Sequence, residues 1–320
     1  MRKFLANTMD RLLRPLGLAC RSQKELHRQE ALQRALIALA NAHGSPAPLR
    51  PDGPLATGIV FSKDRACQLH ALLESFFEQV TGEVPLHVLF TATSERHRRA
   101  YDEVREKFSA KPVHWIVEKN FRADLLATLA TVATPRVFFL VDDIVITRPV
   151  DFARLAPFAP GQRVVSLRLG EHITRHHQEP MPPPPLQASR VDGEFVEWDW
   201  DAGPLSWAYP LSVDGHFFGA DEMRVMAGHV EFSAPNSFEK ALQLFRPVFA
   251  RRRGVCFRQS RLVNLPINMV QTERVNLHGD VQPEFLLEQW EAGKKIDLTN
   301  LRGWTNQALH QEQPLRFVPR

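Results

Sequence analysis

The segment FFLVDDIVITRP ends an apolar run on two adjacent carboxylates, Asp142 and Asp143. Neighbouring side chains on an extended chain point to opposite faces, so one acid of the pair faces a cleft and the other is left for structural hydrogen bonds. Two such acids can hold Mg2+ or Mn2+ against a diphosphate, because hard cations take oxygen ligands. They can equally cap the turn that follows. FSKDR at 61–65 brings Ser62, Lys63, Asp64 and Arg65. Lys63 and Arg65 carry charge suited to phosphate or a nucleobase edge, and Asp64 suits a ribose or the cap of the next helix. WAYPLSVDGHFFGADEM at 207–223 sets Asp214, Gly215 and His216 in a turn ahead of an apolar strand. Asp214 is a candidate general base toward an acceptor hydroxyl, or a ligand for sugar hydroxyls. His216 has the same options and can also ligate a metal. An ordinary Asp-Gly turn with a satisfied histidine is the structural alternative. Glu239, near the start of another helix, is either a base or a cap.

Weaker candidates are Asn264 and Asn268 in VNLPIN, His278 in NLHGD, and the pair His176 and His177. The histidine pair lacks the HExxH context of a zinc site. The sequence has no GxxxxGK[ST] loop and no glycine fingerprint for dinucleotides after its first strand. It has no GxSxG elbow and no cysteine with a histidine base beside it.

The elements that must position these residues follow a rhythm of strand and helix. TGIVFS is a strand, and Leu69, Leu72, Leu73, Phe76, Phe77 and Val80 form one apolar stripe on a helix that Asp64 is placed to cap. LHVLFTAT is a second strand, followed by a polar helix over 94–108. PVHWIV, a helix over 124–132 and RVFFLV come next. Such alternation predicts a mostly parallel sheet covered on both faces. Ligands in such folds lie beyond the carboxyl ends of the strands, which directs attention to 62–65, 91–93, 118–121 and 142–143. Beyond Asp143 the rhythm breaks. RVVSLRLG is a strand, and FFGADEMRVM reads as strand into helix. SAPNSFEKALQLF opens a helix with Asn236 three residues before Glu239, like a capping box. VCFRQSRLVNLPINMVQ is a late extended segment. The long irregular stretch 171–206 is expected to be a lid on the acceptor side.

The chain has 320 residues, 44% hydrophobic and 24% charged, which excludes a disordered polymer or a disulfide mini-protein. A net charge of +4 is too small to predict nucleic-acid binding. Three scattered cysteines (Cys20, Cys67 and Cys256) make neither a disulfide framework nor a zinc spacing, so a reducing compartment is expected. The first twenty residues begin basic like a signal peptide, but Asp10, Arg11 and Arg14 interrupt the apolar stretch. The expected location is cytoplasmic, with peripheral membrane contact through residues 1–30 as an added reading. The expected organisation is a helical extension at 1–45, a Pro/Gly-rich linker at 46–56, a main domain at 57–300 and a tail at 301–320.

Taken in order, GIVFSKDRACQLHALLESF, LHVLFTATSERHRRAYDEV, FFLVDDIVITRPVDF, SVDGHFFGADEM and PNSFEKAL resemble glycosyltransferases of the GT-A fold, in particular the bacterial family-2-like group with an echo of the exostosin type. The resemblance spans about residues 57–298. It implies an α/β fold with a mostly parallel central sheet. It also implies transfer of a sugar from a nucleotide diphosphate donor to a hydroxyl, in glycan or surface polysaccharide synthesis; with no clear nucleophile behind the sugar, an inverting single displacement is expected. Ser62, Lys63 and Arg65 would then lie near the nucleotide. Asp142 and Asp143 would hold ribose, sugar and metal, and Asp214 or Glu239 would deprotonate a glycan or lipid-linked acceptor. The departure is at Ile144, where the exostosin type carries a third acid. A divalent cofactor therefore has to work with two acids, or else Arg, Lys and a histidine replace it. The alternatives are a nucleotidyltransferase, which lacks its expected glycine-rich first loop here, and a non-catalytic domain that binds a glycan or a partner.

Overall fold

The computed structural model of the chain describes residues 23–43, 53–176, 179–180, 193–267 and 283–320. The chain divides into two compact units, residues 1–45 and 46–320. In the first, α1 (Gln23–His43) is a single helix. No helix among the described residues is long and apolar enough to cross a membrane. Residues 1–22, which carry most of the proposed membrane contact, lie outside the described residues, as do 181–192 of the expected lid, Asn268 and His278.

The second unit is built on a five-stranded sheet. Its parallel strands are β1 (Ala56–Lys63), β2 (Leu86–Thr91), β3 (Val113–Val117) and β4 (Arg136–Val141). The fifth strand, β8 (Phe217–Gly219), runs antiparallel against β4, and the spatial order is β8-β4-β1-β2-β3. Helices α2 (Ala66–Gln79), α3 (Glu95–Lys107) and α4 (Phe121–Thr131) follow the first three strands. This is the α/β fold with a mostly parallel, helix-flanked sheet that the strand–helix rhythm predicts. The central strands are apolar on both faces, as burial under two helix layers requires. Ile59, Val60, Val88, Leu89, Phe138, Phe139 and Leu140 are fully buried. Gly58 stands in the middle of β1 because Leu86 and Phe138 fill the space a side chain would need.

Two smaller assemblies flank the carboxyl end of β4. In one, β7 (Phe195–Asp199) pairs antiparallel with β9 (Arg253–Phe257), which runs parallel to β6 (Arg163–Ser166). In the other, β5 (Ile144–Ile146) pairs antiparallel with β10 (Leu262–Asn264). The helices α5 (Ala220–His229) and α6 (Pro235–Leu242) follow β8, and α7 (Pro283–Glu291) precedes a hairpin-like pair, β11 (Lys294–Ile296) with β12 (Phe317–Pro319). Over its described residues, 255–267, the late extended segment holds most of β9 and all of β10, with bends between them at 258–261. Residues 301–320, expected as a tail, contain β12 and the buried residues Leu301, Asn306, Ala308 and Leu309.

Three local expectations are corrected. Asp64 does not cap α2, whose N-cap is Arg65 with no side-chain bond. Asp64 adopts a left-handed φ of 55°, and its carboxylate accepts from the Thr93 N–H at 2.7 Å and the Thr93 hydroxyl at 2.8 Å. Asp, with a short polar side chain, is among the few residues that tolerate this backbone. The helix expected from 124 starts at Phe121, because Asn120 caps Ala123 and Asp124 accepts from the Asn120 N–H. Helix α6 is closed at its start by the Ser237 hydroxyl, which accepts from the Ala234 N–H at 2.9 Å, so Glu239 is not a cap.

Candidate functional site

Register brings the strand ends together. Phe61 stands opposite Val141, Lys63 opposite Thr91, and Phe90 opposite Val117. The residues that leave the sheet at Lys63, Thr91, Glu118 and Asp142 therefore share one edge. This is the edge where α/β sheets take ligands.

Asp142 is 4% exposed. Its carboxylate accepts from Arg65 Nη1 at 3.0 Å, from the Lys63 N–H at 3.2 Å and from the Ser62 hydroxyl. Ser62 Oγ lies 2.6 Å from Tyr101 Oη, and the same tyrosine oxygen accepts from the Arg65 N–H at 3.1 Å. Tyr101 thus ties α3 to the turn after β1. Asp143 turns the other way, with a side chain 20% exposed. It accepts from Asn264 Nδ2 at 3.2 Å, and its second oxygen is 3.7 Å from Arg65 Nη1. The alternation expected of adjacent acids is therefore present. One carboxylate serves the backbone turn, and the other faces the site.

A second group comes from the segment just after β6, the loop before β8, and α6, and its Asp214 lies near enough to Asp143 to raise it. Asp214 pairs with Arg168 at 3.0 Å. Arg168 also donates to Ser212 Oγ at 2.5 Å and lies 3.0 Å from His310 Nε2. Glu239 accepts from the Tyr209 hydroxyl at 3.0 Å, the Ser212 hydroxyl at 3.2 Å and the Val213 N–H at 2.8 Å. Gly215 (φ 73°) lets the chain turn between Asp214 and β8. Its N–H donates to Phe139 O and its carbonyl accepts from Leu167 N–H, locking β4 to the Arg168 segment. The stretch 306–311 borders the same group, since Asn264 exchanges backbone bonds with Leu309 and Gln311 and thereby sets His310 beside Arg168.

The electrostatics follow from burial and these neighbours. Burial pushes the Asp143 carboxyl up to about 7, against the pull of Arg65 and with help from Asp142 and Asp214. Burial also raises Asp142, where Arg65, Ser62 and Lys63 oppose it. Glu239 is raised by burial and by Asp214, against the Val213 N–H and Arg168. Glu118 is raised chiefly by burial and lies near Lys63. For Arg65, burial works against the charge, but Asp142 and Asp143 more than offset it.

The structure thus brings Ser62, Lys63, Arg65, Asp142, Asp143, Asp214 and Glu239 to the carboxyl edge. It does not bring His216 there. His216 is 1% exposed, bonded through Nδ1 to Pro210 O at 2.9 Å, and packed 5.7 Å from the Trp200 ring. Burial lowers its imidazole to about 3, which keeps it neutral in the core. His176 is bonded to Ser206 Oγ at 3.0 Å. Cys67 and Cys256 are buried, and burial pushes the Cys67 thiol up to about 12, which leaves it unreactive. Sequence reasoning missed Arg168, Ser212, Tyr209, Tyr101 and His310. Arg168 falls inside the expected strand RVVSLRLG, whereas the observed β6 ends at Ser166 and leaves Arg168 just beyond the strand end.

The donor set fits a resident divalent ion poorly. Three of the four oxygens of Asp142 and Asp143 accept hydrogen bonds, and the fourth faces a guanidinium. Ile144 is fully buried in β5 and offers no oxygen ligand. Among the described residues no three His, Cys, Asp or Glu side chains are grouped so that they could hold a metal ion.

This chain is similar over 212 residues to a bifunctional glycosyltransferase, pgtA of Dictyostelium discoideum, with 26% identity. The match covers 57% of this chain and 27% of the relative's length. No family model matches. Similar solved structures include S. aureus TarS 1–349 in complex with UDP-GlcNAc (TM-score 0.46, 13% identity, 73% of this chain and 64% of that one). They also include the mannosyltransferase PcManGT from Pyrobaculum calidifontis in complex with GDP-Man and Mn2+ (TM-score 0.31, 17% identity, 44% of each chain). A third is a nucleotidyl transferase from Methanothermobacter (TM-score 0.35, 16% identity, 65% of this chain and 89% of that one). The relative in sequence is a glycosyltransferase, as the order of motifs implies.

Proposed function

We propose that this chain transfers a sugar from a nucleotide diphosphate donor to a hydroxyl of a glycan or lipid-linked acceptor, with inversion, in glycan or surface polysaccharide synthesis. The observation that carries the reading is the convergence of two acid groups at one strand edge: Asp142 and Asp143 beside Lys63 and Arg65, and Asp214, which neighbours both Asp143 and Glu239.

In this reading the nucleotide lies over the ends of β1, β2 and β3, where Lys63 is exposed and Glu118 is half-buried. Asp143 accepts from sugar or ribose hydroxyls. The acceptor oxygen attacks the anomeric carbon from the Asp214 and Glu239 side. As that C–O bond forms, the bond from the anomeric carbon to the diphosphate oxygen breaks, and the nucleoside diphosphate leaves with the electron pair. The acceptor proton passes to Glu239 or Asp214. Burial and the neighbouring Asp214 raise the Glu239 carboxyl, which suits it to take a proton, and Arg168 holds Asp214 in place. Lys63 and Arg65 meet the charge that grows on the leaving diphosphate.

The test is a panel of UDP-, GDP-, CDP- and ADP-sugars with glycan and lipid-linked acceptors, read by mass spectrometry. One donor that adds a hexose or N-acetylhexosamine mass supports the proposal. Adenylyl or uridylyl addition from a nucleoside triphosphate, with no sugar transfer, would place the chain among nucleotidyltransferases instead.

A further inference from the structure

The cation that lies between the two acids of the strand end belongs to the protein itself. Arg65 Nη1 is 3.0 Å from Asp142 and 3.7 Å from Asp143, and the arginine side chain is 11% exposed. Its backbone N–H is bonded to Tyr101 Oη, and it forms the first turn boundary of α2. The remaining Asp142 oxygen, Oδ2, is engaged by the Lys63 N–H, and the first Asp143 oxygen, Oδ1, by Asn264. A divalent ion entering here would have to break a buried ion pair, whose loss leaves an uncompensated charge at considerable cost. Among the described residues it would find no third His, Cys, Asp or Glu side chain grouped with the pair, and the next residue along, Ile144, is apolar and buried.

We infer that Arg65 takes the place of a divalent ion at this site, so that the chain binds its nucleotide diphosphate without metal. This rests on the glycosyltransferase reading above. The guanidinium fixes the Asp142 and Asp143 carboxylates for hydroxyl contacts, and with Lys63 it supplies the positive charge toward the diphosphate. Arginine suits the task because its planar fork can bridge two acidic groups while staying charged.

The experiment is thermal shift and calorimetric titration of the full chain with UDP, GDP, CDP and ADP, each in EDTA and in Mn2+. Electron paramagnetic resonance of Mn2+ with the protein and the best nucleotide runs alongside. One nucleotide is expected to bind with dissociation constants within about twofold in the two buffers, and the Mn2+ spectrum is expected to show only the nucleotide-bound ion. Arg65→Met is expected to weaken that nucleotide by about tenfold or more, and Arg65→Lys by less. Binding that appears only with Mn2+ overturns the inference and leaves the glycosyltransferase reading standing. A panel with no binding in either buffer overturns both. If Arg65→Met does not fold, the wild-type comparison alone decides.

Discussion

The two neighbouring aspartates show how much a single residue step changes. Asp142 is spent on the turn after β1, while Asp143 keeps a 20% exposed side chain toward Asp214. Asp143→Asn is expected to abolish transfer while the protein stays folded. Its stability should also diverge from wild type with pH. The folded carboxyl is raised from the ordinary value to about 7, mainly by burial, so the wild-type contribution is complete below about pH 4 and is lost as pH rises through 7. The asparagine variant should therefore gain stability relative to wild type between pH 4 and 8, with a slope no steeper than about 1.4 kcal/mol per pH unit, read by urea unfolding. A difference independent of pH would contradict the placement of Asp143. The acid pair itself was legible, because an apolar run ending in two acids can only present one of them inward. The partners were not. Tyr101 and Tyr209 are the only tyrosines of the chain, and both hydroxyls serve the site. Nothing in their own sequence neighbourhoods marks them, since each reaches a partner that the fold, not the spacing, supplies.

At the scale of elements, the strand–helix rhythm was legible because each apolar run has to bury both faces. The capping of α2 was not, because Asp64 has two outlets: the helix N–H groups ahead of it, or Thr93 on the neighbouring strand end. The parallel register Lys63↔Thr91 brings Thr93 close and decides the matter. In α6, likewise, the Ser237 hydroxyl meets the first turn and frees Glu239 to bond Tyr209, Ser212 and Val213. His216 was misplaced for a related reason. The Asp-Gly turn leaves the histidine after it two outlets, the site or the core, and its bond to Pro210 O and its contact with Trp200 decide for the core. The turn that sets both residues depends on a left-handed glycine. Gly215→Ala is expected to cost about 1–2 kcal/mol in urea unfolding and to lower turnover further by displacing Asp214. Unchanged turnover with the same loss of stability would show that Asp214 is not held by this turn.

For the whole molecule, the site is assembled from distant parts: β1, β4, β6, the loop ahead of β8, α6, β10 and residues 306–311. The early elements were readable in order. The contribution of 306–311 was not, because Asn264 reaches it only through the β5–β10 pairing and the bridge to His310. The two compact units lead to a further expectation. A chain beginning at residue 46 should retain nucleotide stabilisation in thermal shift, while any binding to anionic vesicles is lost with residues 1–45. Loss of nucleotide binding in that variant would assign part of the site to the first unit. The most direct test of the central claim is release of nucleoside diphosphate from the nucleotide-sugar panel by wild type and by Glu239→Gln. The account predicts one donor turned over by wild type and at least about a hundredfold slower release in the variant, with donor binding retained. Equal release by both proteins, or none from any donor, would contradict it.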